Sequence, residues 1–357
     1  MNTRVLVTGA TGFVAGHVIV ELLEHGYAVR ATVRDLADTK KRAHLVDYAA
    51  RTGAELDFVA VDLTADDGWA QAVSGCAQVL HIASPFPATP PADEEGLIRT
   101  AVDGTLRVLR ACAEEPGVGR VVVTSSIAAI THGHRESALR TEADWTVVER
   151  SPAYQRSKTL AERAAWEFVG ALPAERDLEL VVVNPGMVLG PLLSPDPSTS
   201  HEPVRRLLSG AVPGLPRVGW SVVDVRDLAA AHRLALERPQ AAGKRFICAG
   251  EHLWMRDMAR TLSEDFGPRG FRVPTRSLPD RLIRAAAVFD RGLRLTVPTL
   301  GQVERVSADR AIHELGWSMR PVRETLRDTA DSLVRHGVVR APRRAASGVG
   351  RAVRAEV

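Results

Sequence analysis

Cysteine is scarce in this chain, and long apolar runs are absent. The three cysteines among 357 residues, Cys76, Cys112 and Cys248, have no metal-ligand spacing. A sparse, odd number of cysteines is typical of free thiols in a reducing compartment. No uncharged apolar run approaches the roughly 18 residues of a membrane span. The basic segment followed by an apolar region that is typical of a signal peptide is not seen either. The sequence therefore predicts a cytoplasmic protein with no membrane partner.

An excess of charge of one sign is also missing. The chain has 46 basic and 43 acidic residues, interspersed, for a net charge of +3. It therefore lacks the basic patch expected of a nucleic-acid-binding protein. Lysine is especially rare, because only Lys40, Lys41, Lys158 and Lys244 stand among the 46 basic residues. A lysine at a motif position is therefore informative.

A glycine-rich turn follows the first apolar segment. Residues 5–7 form a run typical of a buried strand, and residues 14–23 have apolar side chains at helical spacing. Between them, Gly9 allows a tight turn, and Gly12 lets backbone N–H groups approach a pyrophosphate at the positive end of the helix. Ala15 stands at the third small position, where helix and strand pack closely. Strand, glycine turn and helix in this order indicate a dinucleotide site.

Tyr154 and Lys158 form a second motif. Residues 153–169 predict a helix, and positions four apart lie on the same face of a helix. A lysine there stabilises tyrosinate and lowers the tyrosine pKa below its free value of about 10. Such a tyrosine can pass a proton to or from a carbonyl oxygen. Ser125 and Ser126 end a Val-rich strand, and either hydroxyl can donate a hydrogen bond to that oxygen.

Strand and helix patterns alternate through the first half of the chain. This order predicts an α/β fold, a Rossmann-type doubly wound parallel sheet with helices on both faces. The candidate strands are 5–8, 28–33, 57–61, 78–82, 120–124, 178–183 and 244–248. The candidate helices include 94–114, 153–169, 225–236, 256–266 and 322–336. Residues 185–220 are rich in Pro, Gly and Ser, which predicts long loops.

Three regions follow from these patterns. Residues 1–184 are predicted to form a dinucleotide-binding Rossmann domain. Residues 185–338 are predicted to form a smaller C-terminal substrate-binding lobe that is interleaved with the sheet. Residues 339–357, rich in Arg, Ala and Gly, are expected to form a disordered basic tail.

The motifs together resemble the short-chain dehydrogenase/reductase superfamily in its extended branch, the NAD-dependent epimerase/dehydratase family. The most similar subgroup is that of dihydroflavonol reductases and aldehyde (carbonyl) reductases. The likeness covers about residues 3 to 338. Besides the two motifs above, it rests on residues 30–35, 81–85, 124–126, Trp145, 184–191 and 315–317.

The resemblance implies an NADPH-dependent enzyme that reduces an aldehyde or ketone to an alcohol. Hydride is delivered to the carbonyl carbon, Tyr154 supplies the proton, and Ser126 hydrogen-bonds the carbonyl oxygen. Lys158 lowers the tyrosine pKa and hydrogen-bonds the nicotinamide ribose. The resemblance favours Ser126 over Ser125. It also reveals a departure, because Arg107 stands where the family commonly has asparagine.

The end of the second strand favours NADP(H), although NAD(H) stays open. An acidic residue there usually holds the ribose 2′-OH of NAD, whereas an arginine accommodates a 2′-phosphate. Arg34 follows the strand directly and Asp35 comes next. The resemblance adds Lys41 as a second phosphate contact. It also assigns cofactor contacts to Thr11, Phe13, Asp62, Leu63, Ala83, Pro185 and Val188.

Other functions stay open at this stage. They are a hydroxysteroid dehydrogenase/isomerase, a sugar-nucleotide epimerase-like enzyme and a non-catalytic NADP-binding sensor. Related dehydratases place an acid directly after the hydroxyl residue of the fifth strand, whereas Ile127 follows Ser126. Sensors typically lose the tyrosine or the lysine, and both are present here. The expected partner is a small carbonyl or alcohol substrate, and the protein is expected to be a monomer or homodimer.

Loops supply the candidate substrate pocket. The predicted walls are residues 84–91, 132–145 and 187–220. Five apolar side chains in these segments either line the pocket or anchor the loops: Phe86, Met187, Leu192, Leu193 and Trp220. His81, His132 and His134 lack a carboxylate or cysteine at ligand spacing, so we expect no metal site.

Overall fold

A seven-stranded parallel sheet forms the centre of the protein. The structure, a computed structural model, describes residues 3–85, 93–212, 214–289, 294 and 297–342. The strands of the sheet are β1 (Arg4–Val7), β2 (Ala28–Val33), β3 (Leu56–Ala60), β4 (Gln78–His81), β5 (Arg120–Thr124), β6 (Glu179–Pro185) and β9 (Arg245–Cys248). Their order is β3-β2-β1-β4-β5-β6-β9, and all neighbours are parallel. The predicted doubly wound α/β fold is confirmed.

Ten helices in the described residues pack on this sheet or on the C-terminal lobe. They are α1 (Phe13–Glu24), α2 (Ala43–Thr52), α3 (Trp69–Val73), α4 (Glu94–Glu114), α5 (Ala153–Gly170), α6 (Glu202–Leu208), α7 (Val225–Glu237), α8 (Met255–Phe266), α9 (Asp280–Ala286) and α10 (Val322–Arg335). Helices α1, α2 and α7 cover one face of the sheet, and α3, α4 and α5 cover the other.

Burial on both faces explains why the strands read as continuous apolar runs. Val5 and Val7 of β1 pack under α1 and α7, whereas Leu6 between them packs under α3 and α4. All three side chains are fully buried. A parallel sheet with helices on both sides needs apolar side chains at consecutive positions, not at alternate ones.

A second, smaller sheet organises the C-terminal lobe. It consists of β7 (Met187–Leu189), β8 (Gly219–Asp224) and β10 (His252–Trp254), in the order β10-β8-β7. Helices α6, α8, α9 and α10 contribute to its core. The same stretch of chain also supplies β9 and α7 to the central unit, so the two units are interleaved.

The prediction of long loops over residues 185–220 is wrong in part. This stretch contains β7 and α6, and β8 begins at Gly219. Pro203 lies in the first turn of α6, where a missing N–H costs nothing, so proline there favours the helix start. Strand β7 is stabilised by pairing with β8, which lies 30 or more residues along the chain. Local composition cannot show such a partner.

The start of the predicted tail is also corrected. Val339 is only 4% exposed and packs in the core of the C-terminal lobe. Its N–H donates to the carbonyl of Leu333 at 3.1 Å, which ties the end of α10 to the following turn. Residues 343–357 lie outside the described residues. Within the described part, no helix is both long and apolar enough to cross a membrane.

Candidate active site

One large cleft lies at the carboxyl ends of the central strands. Strands β1 and β4 are neighbours there although they are not consecutive, and this switch point is where ligands bind in open α/β sheets. The cleft has a volume of about 2530 Å³, well above the roughly 300–1,000 Å³ of an ordinary small-molecule pocket. It therefore has room for a dinucleotide and a substrate together.

The structure brings nearly all predicted site residues into this cleft. Its lining includes Gly9, Thr11, Gly12, Phe13, Arg34, Asp62, Leu63, Ala83, Ser126, Tyr154, Lys158, Pro185 and Val188. The exception is Lys41, which is exposed and pairs with Asp38, Nζ to Oδ2, at 3.3 Å. This pair forms because the two residues lie three apart at the start of a helical turn. The geometry gives no support to Lys41 as a cofactor ligand.

The glycine turn is built tightly against its neighbours. Gly9 has φ +77°, and a Cβ there would lie 3.0 Å from the Cβ of Ala83. Its N–H donates to the Thr32 hydroxyl at 3.0 Å. The Thr8 hydroxyl accepts from the N–H groups of Ile82 and Ala83, both at 3.0 Å. Two threonines that the sequence analysis did not single out thus hold the turn against β2 and β4.

The start of α1 is free to receive an anion. Gly12 caps the helix without a side-chain hydrogen bond, and no acidic residue lies in the first turn. Helix α4 differs, because the Asp93 carboxylate accepts from the N–H of Gly96 at 2.8 Å. The first N–H groups of a helix have no partner within it and attract anions. Since residues 12–15 line the cleft, the turn suits a pyrophosphate.

The end of β2 presents one cation to the cleft. Arg34 lines it and makes no hydrogen bond or ion pair with the described residues. Asp35 does not line it, and its carboxylate accepts from the N–H of Ala37 at 2.8 Å. Asp35, the acidic residue that made NAD(H) binding possible, therefore uses its carboxylate to stabilise its own turn.

Arg107, the departure from the family pattern, supports a different wall of the cleft. It forms an ion pair with Asp66, and its Nη1 donates to the carbonyl of Leu63 at 2.7 Å. Next to Leu63, the Asp62 carboxylate accepts from the Thr64 N–H and hydroxyl at 2.7 and 2.6 Å. Those bonds lower the pKa of Asp62. Arg107 thus anchors the segment after β3 that carries the predicted cofactor contacts Asp62 and Leu63.

Tyr154 and Ser126 form a hydrogen-bonded pair in the cleft. Burial raises the pKa of Tyr154 to about 12, and the bond with Ser126 acts in the opposite direction. The sequence predicts that Lys158 lowers this pKa below 10, whereas burial raises it and only the bond with Ser126 acts in the lowering direction. The phenol is therefore protonated throughout the neutral range, which is the state that a proton donor needs.

Lys158 lies one helical turn after Tyr154 and is itself buried. Its Nζ donates to the carbonyl of Thr124, the last residue of β5, at 3.5 Å. Burial lowers the pKa of Lys158 to about 8, and the carboxylate of Glu162 acts against that shift. Lys158 therefore keeps its charge at neutral pH and loses it as the pH rises through about 8.

A buried network lies behind these residues. Glu162, one turn after Lys158, accepts from the Ser125 hydroxyl at 2.5 Å and from Asn184 Nδ2 at 2.8 Å. Its other oxygen accepts from Arg245 Nε at 2.5 Å. Asn184 Nδ2 also donates to the carbonyl of Ser126 at 3.2 Å. Ser125 is therefore committed to the network, whereas Ser126 faces Tyr154, a difference that favours Ser126 as the functional serine.

The guanidinium of Arg245 is held from several sides. It lies 3.8 Å from the ring centroid of Trp145, and its Nη1 donates to the carbonyls of Glu142 and Asp144, both at 2.8 Å. Neither Glu162 nor Arg245 was predicted from the sequence as part of the site. Glu162 could have been predicted from the helical spacing, since residues 154, 158 and 162 share one helix face.

The predicted pocket walls are confirmed only in part. Met187 and Trp220 line the cleft. Leu192 packs in the core of the C-terminal lobe, and Leu193 lies against Gly16 of α1, so neither side chain lines the cleft. Phe86 lies outside the described residues.

The three histidines singled out in the sequence have ordinary partners. His81 hydrogen-bonds the Thr8 hydroxyl at 3.0 Å, and burial lowers its pKa to about 3. His132 hydrogen-bonds Gln155 at 3.2 Å, and His134 Nε2 donates to the Ile130 carbonyl at 2.8 Å. Among the described residues, no group of three or more His, Cys, Asp or Glu side chains is placed to hold a metal ion.

Comparison with known proteins establishes the family. The model of the NAD dependent epimerase/dehydratase family matches residues 5–249. The chain belongs to this family. A cinnamoyl-CoA reductase of Medicago truncatula is 35% identical over 344 residues, which cover 93% of this chain and 96% of that relative.

Two further relatives place this epimerase/dehydratase family member among reductases. A bifunctional dihydroflavonol 4-reductase/flavanone 4-reductase of Malus domestica is 33% identical over 286 residues, 77% of this chain and 79% of that protein. The crystal structure of yeast methylglyoxal/isovaleraldehyde reductase Gre2 complexed with NADPH has a TM-score of 0.78 and 28% identity, covering 94% of this chain and 99% of that chain. The similarity to the dihydroflavonol and aldehyde reductase subgroup, predicted from the motifs, is confirmed.

Removal of the Glu162 carboxylate should destabilise the whole fold. Glu162→Ala leaves the Arg245 guanidinium buried without its counter-charge, which costs about 3–5 kcal/mol in comparable pairs. Urea unfolding followed by circular dichroism measures the loss. Glu149→Ala, which removes an exposed carboxylate just before α5, is the matched control and should change the free energy of unfolding little. Equal stability of the two variants would contradict the structural role of the network.

Proposed function

We propose that this protein is an NADPH-dependent reductase that converts an aldehyde or ketone to an alcohol. The observation that carries the proposal is the Tyr154–Ser126 hydrogen bond, with Lys158 one turn further, in the same cleft as the open start of α1. A proton donor and a dinucleotide cradle thus share one cavity. The reductase relatives support the same reaction class.

The residues of the cleft fit NADPH. The uncapped start of α1 suits the pyrophosphate, and Arg34 at the end of β2 suits a 2′-phosphate. The segment at Asp62 and Leu63 would flank the adenine, while Pro185 and Val188 would lie at the nicotinamide end. When bound there, NADPH supplies the hydride for reduction of the carbonyl carbon.

The side chains of the site handle the charge and the proton on the carbonyl oxygen. As negative charge develops on that oxygen, the Ser126 hydroxyl donates a hydrogen bond to it and the Tyr154 phenol gives up its proton. The Ser126 Oγ accepts from the N–H of Ala128 at 3.1 Å. This bond does not use the hydroxyl proton of Ser126, which can therefore be donated to the carbonyl oxygen. The Lys158 ammonium stabilises the phenolate that remains on Tyr154.

The surroundings of Ser126 favour reduction over elimination. Residues Ile127–Ala129 form a buried apolar turn directly after it, so no acid stands there to protonate a leaving hydroxyl. The intact Tyr154 and Lys158 also favour an enzyme over a non-catalytic sensor. A hydroxysteroid dehydrogenase performs the same redox chemistry on a secondary alcohol, and a substrate panel separates it from a general carbonyl reductase.

Arg34 should set the cofactor preference. Arg34→Asp removes a charge-assisted phosphate contact and adds repulsion, so NADPH affinity should fall roughly 10- to 100-fold. NADH affinity should change much less. Equilibrium titration with both cofactors measures the effect. Lys41→Asp reverses the charge of a nearby exposed cation and should leave NADPH affinity almost unchanged. An equal loss in both variants, or equal affinity of the wild type for NADH and NADPH, would contradict the assignment.

Substitution of Ser126 and substitution of Ser125 should have different effects on kcat. Ser126→Ala removes the hydroxyl that faces Tyr154, so the kcat of NADPH oxidation with a good carbonyl substrate should fall by about 10²-fold. Ser125→Ala removes a bond to Glu162 and should lower the free energy of unfolding by about 1 kcal/mol, with kcat nearly unchanged.

The measurement uses aliphatic and aromatic aldehydes, ketones, flavanonols and steroids as substrates. Oxidation of NADPH with several aldehydes or ketones supports a carbonyl reductase, and turnover of steroids alone favours the hydroxysteroid alternative. Loss of kcat in Ser125→Ala but not in Ser126→Ala would reverse the assignment.

A further inference from the structure

Glu304 differs from the buried acids of the described residues, because it has no cationic partner. The fully buried acids of the described residues, Glu142, Glu162, Asp224 and Asp227, each pair with an arginine. Glu304 is partly buried and forms no ion pair with the described residues. Burial raises its pKa to about 7, against the effect of the Ser221 N–H bond.

The position of Glu304 is fixed by its neighbours on two strands. Its Oε2 accepts from the N–H of Ser221 on β8 at 2.9 Å, and its carbonyl accepts from the Ser221 hydroxyl at 3.4 Å. Its own N–H donates to Nδ1 of His252 on β10 at 3.2 Å. These bonds hold the backbone and one carboxyl oxygen. The other oxygen, Oε1, has no partner among the described residues.

Glu304 lines the same cleft as Tyr154, Ser126 and Pro185. Ser221 packs against Gly186, where an added Cβ would collide with the Ser221 carbonyl oxygen. Gly186 directly follows Pro185. Trp220, next to Ser221, lines the same cleft. Glu304 therefore offers a fixed acceptor in the cleft that also contains the proposed proton donor.

We propose that Glu304 recognises a hydroxyl or phenol group on the substrate, so that the enzyme prefers hydroxylated aldehydes or ketones over their deoxy analogues. The inference rests on the proposed carbonyl reduction and names its substrate class. Ser221 occupies one carboxyl oxygen, and the second oxygen accepts from the substrate hydroxyl. Arg135 and Arg305 line the same cleft without ion pairs to the described residues, and their charge disfavours an ammonium group as the donor.

The test compares substrate pairs in the wild type and in two variants. Each pair is an aromatic or aliphatic carbonyl with one hydroxyl and its deoxy analogue, and the pairs place the hydroxyl at different distances from the carbonyl. A site built to bond a hydroxyl rejects the analogue that lacks it, so at least one pair should differ about tenfold or more in kcat/KM. Glu304→Met should abolish that difference, because methionine offers no group to bond the hydroxyl, and Glu304→Gln should reduce it. In Glu304→Gln the amide oxygen serves the Ser221 N–H, which leaves a donor in place of the acceptor.

Two controls separate recognition from folding. Activity toward the deoxy substrates should stay within about twofold of the wild type in Glu304→Gln, because this variant keeps the acceptor for the Ser221 N–H and changes only the group that faces the hydroxyl. Glu136→Gln, which changes an exposed carboxylate on the same cleft, should keep the preference for hydroxylated substrates. Equal loss of activity toward both members of each pair would mean that Glu304 supports the fold only, and would overturn the proposal.

Equilibrium binding distinguishes this inference from the proposed function. Calorimetric titration with a product alcohol that carries a further hydroxyl (the hydroxylated alcohol) and with its analogue that lacks this hydroxyl reports recognition without turnover. A preference for the hydroxylated alcohol that Glu304→Met abolishes supports the proposal even if no carbonyl is reduced. Reduction of carbonyls by the wild type without any preference for hydroxylated members would overturn it while leaving the reductase assignment intact.

Discussion

A single buried carboxylate connects the elements that make the site. Glu162 on α5 receives hydrogen bonds from Ser125 after β5, Asn184 on β6 and Arg245 on β9. Three neighbouring strands of the sheet are thereby fixed to the helix that carries Tyr154 and Lys158. Because an unpaired charge in this position costs several kcal/mol, the pairing of Glu162 with Arg245 stabilises this arrangement.

This constraint also divides the roles of adjacent residues. Ser125 is directed into the network and Ser126 into the cleft, although the two are neighbours in sequence. The Asn184 amide holds the backbone of Ser126 from behind. The helix that carries the Tyr154 phenol and the backbone of Ser126 are thus both held by buried groups. Such preorganisation is what allows hydrogen bonds to stabilise developing charge without rearrangement.

Local sequence patterns correctly predicted the parts of the structure that depend on interactions between residues near each other in the chain. The helix predicted at 94–114 has those bounds, since it is long and strongly periodic, and the glycine turn lies between β1 and α1 as expected. The patterns failed where distant contacts decide. Strand β7 needs β8, Glu304 is placed by Ser221, and Val339 is buried by a core assembled from four helices. The role of Lys41 stays a prediction, because the structure shows only its exposed pair with the nearby Asp38.

Single-turnover oxidation of NADPH by Tyr154→Phe tests the central claim most directly. The substitution removes only the phenol oxygen, so folding and NADPH affinity should be retained while the rate with a good carbonyl substrate falls by roughly 10²-fold or more. Cofactor titration and thermal unfolding of the same sample verify that the variant is intact. A rate close to that of the wild type in a folded, NADPH-binding variant would contradict the assignment of Tyr154 as the proton donor.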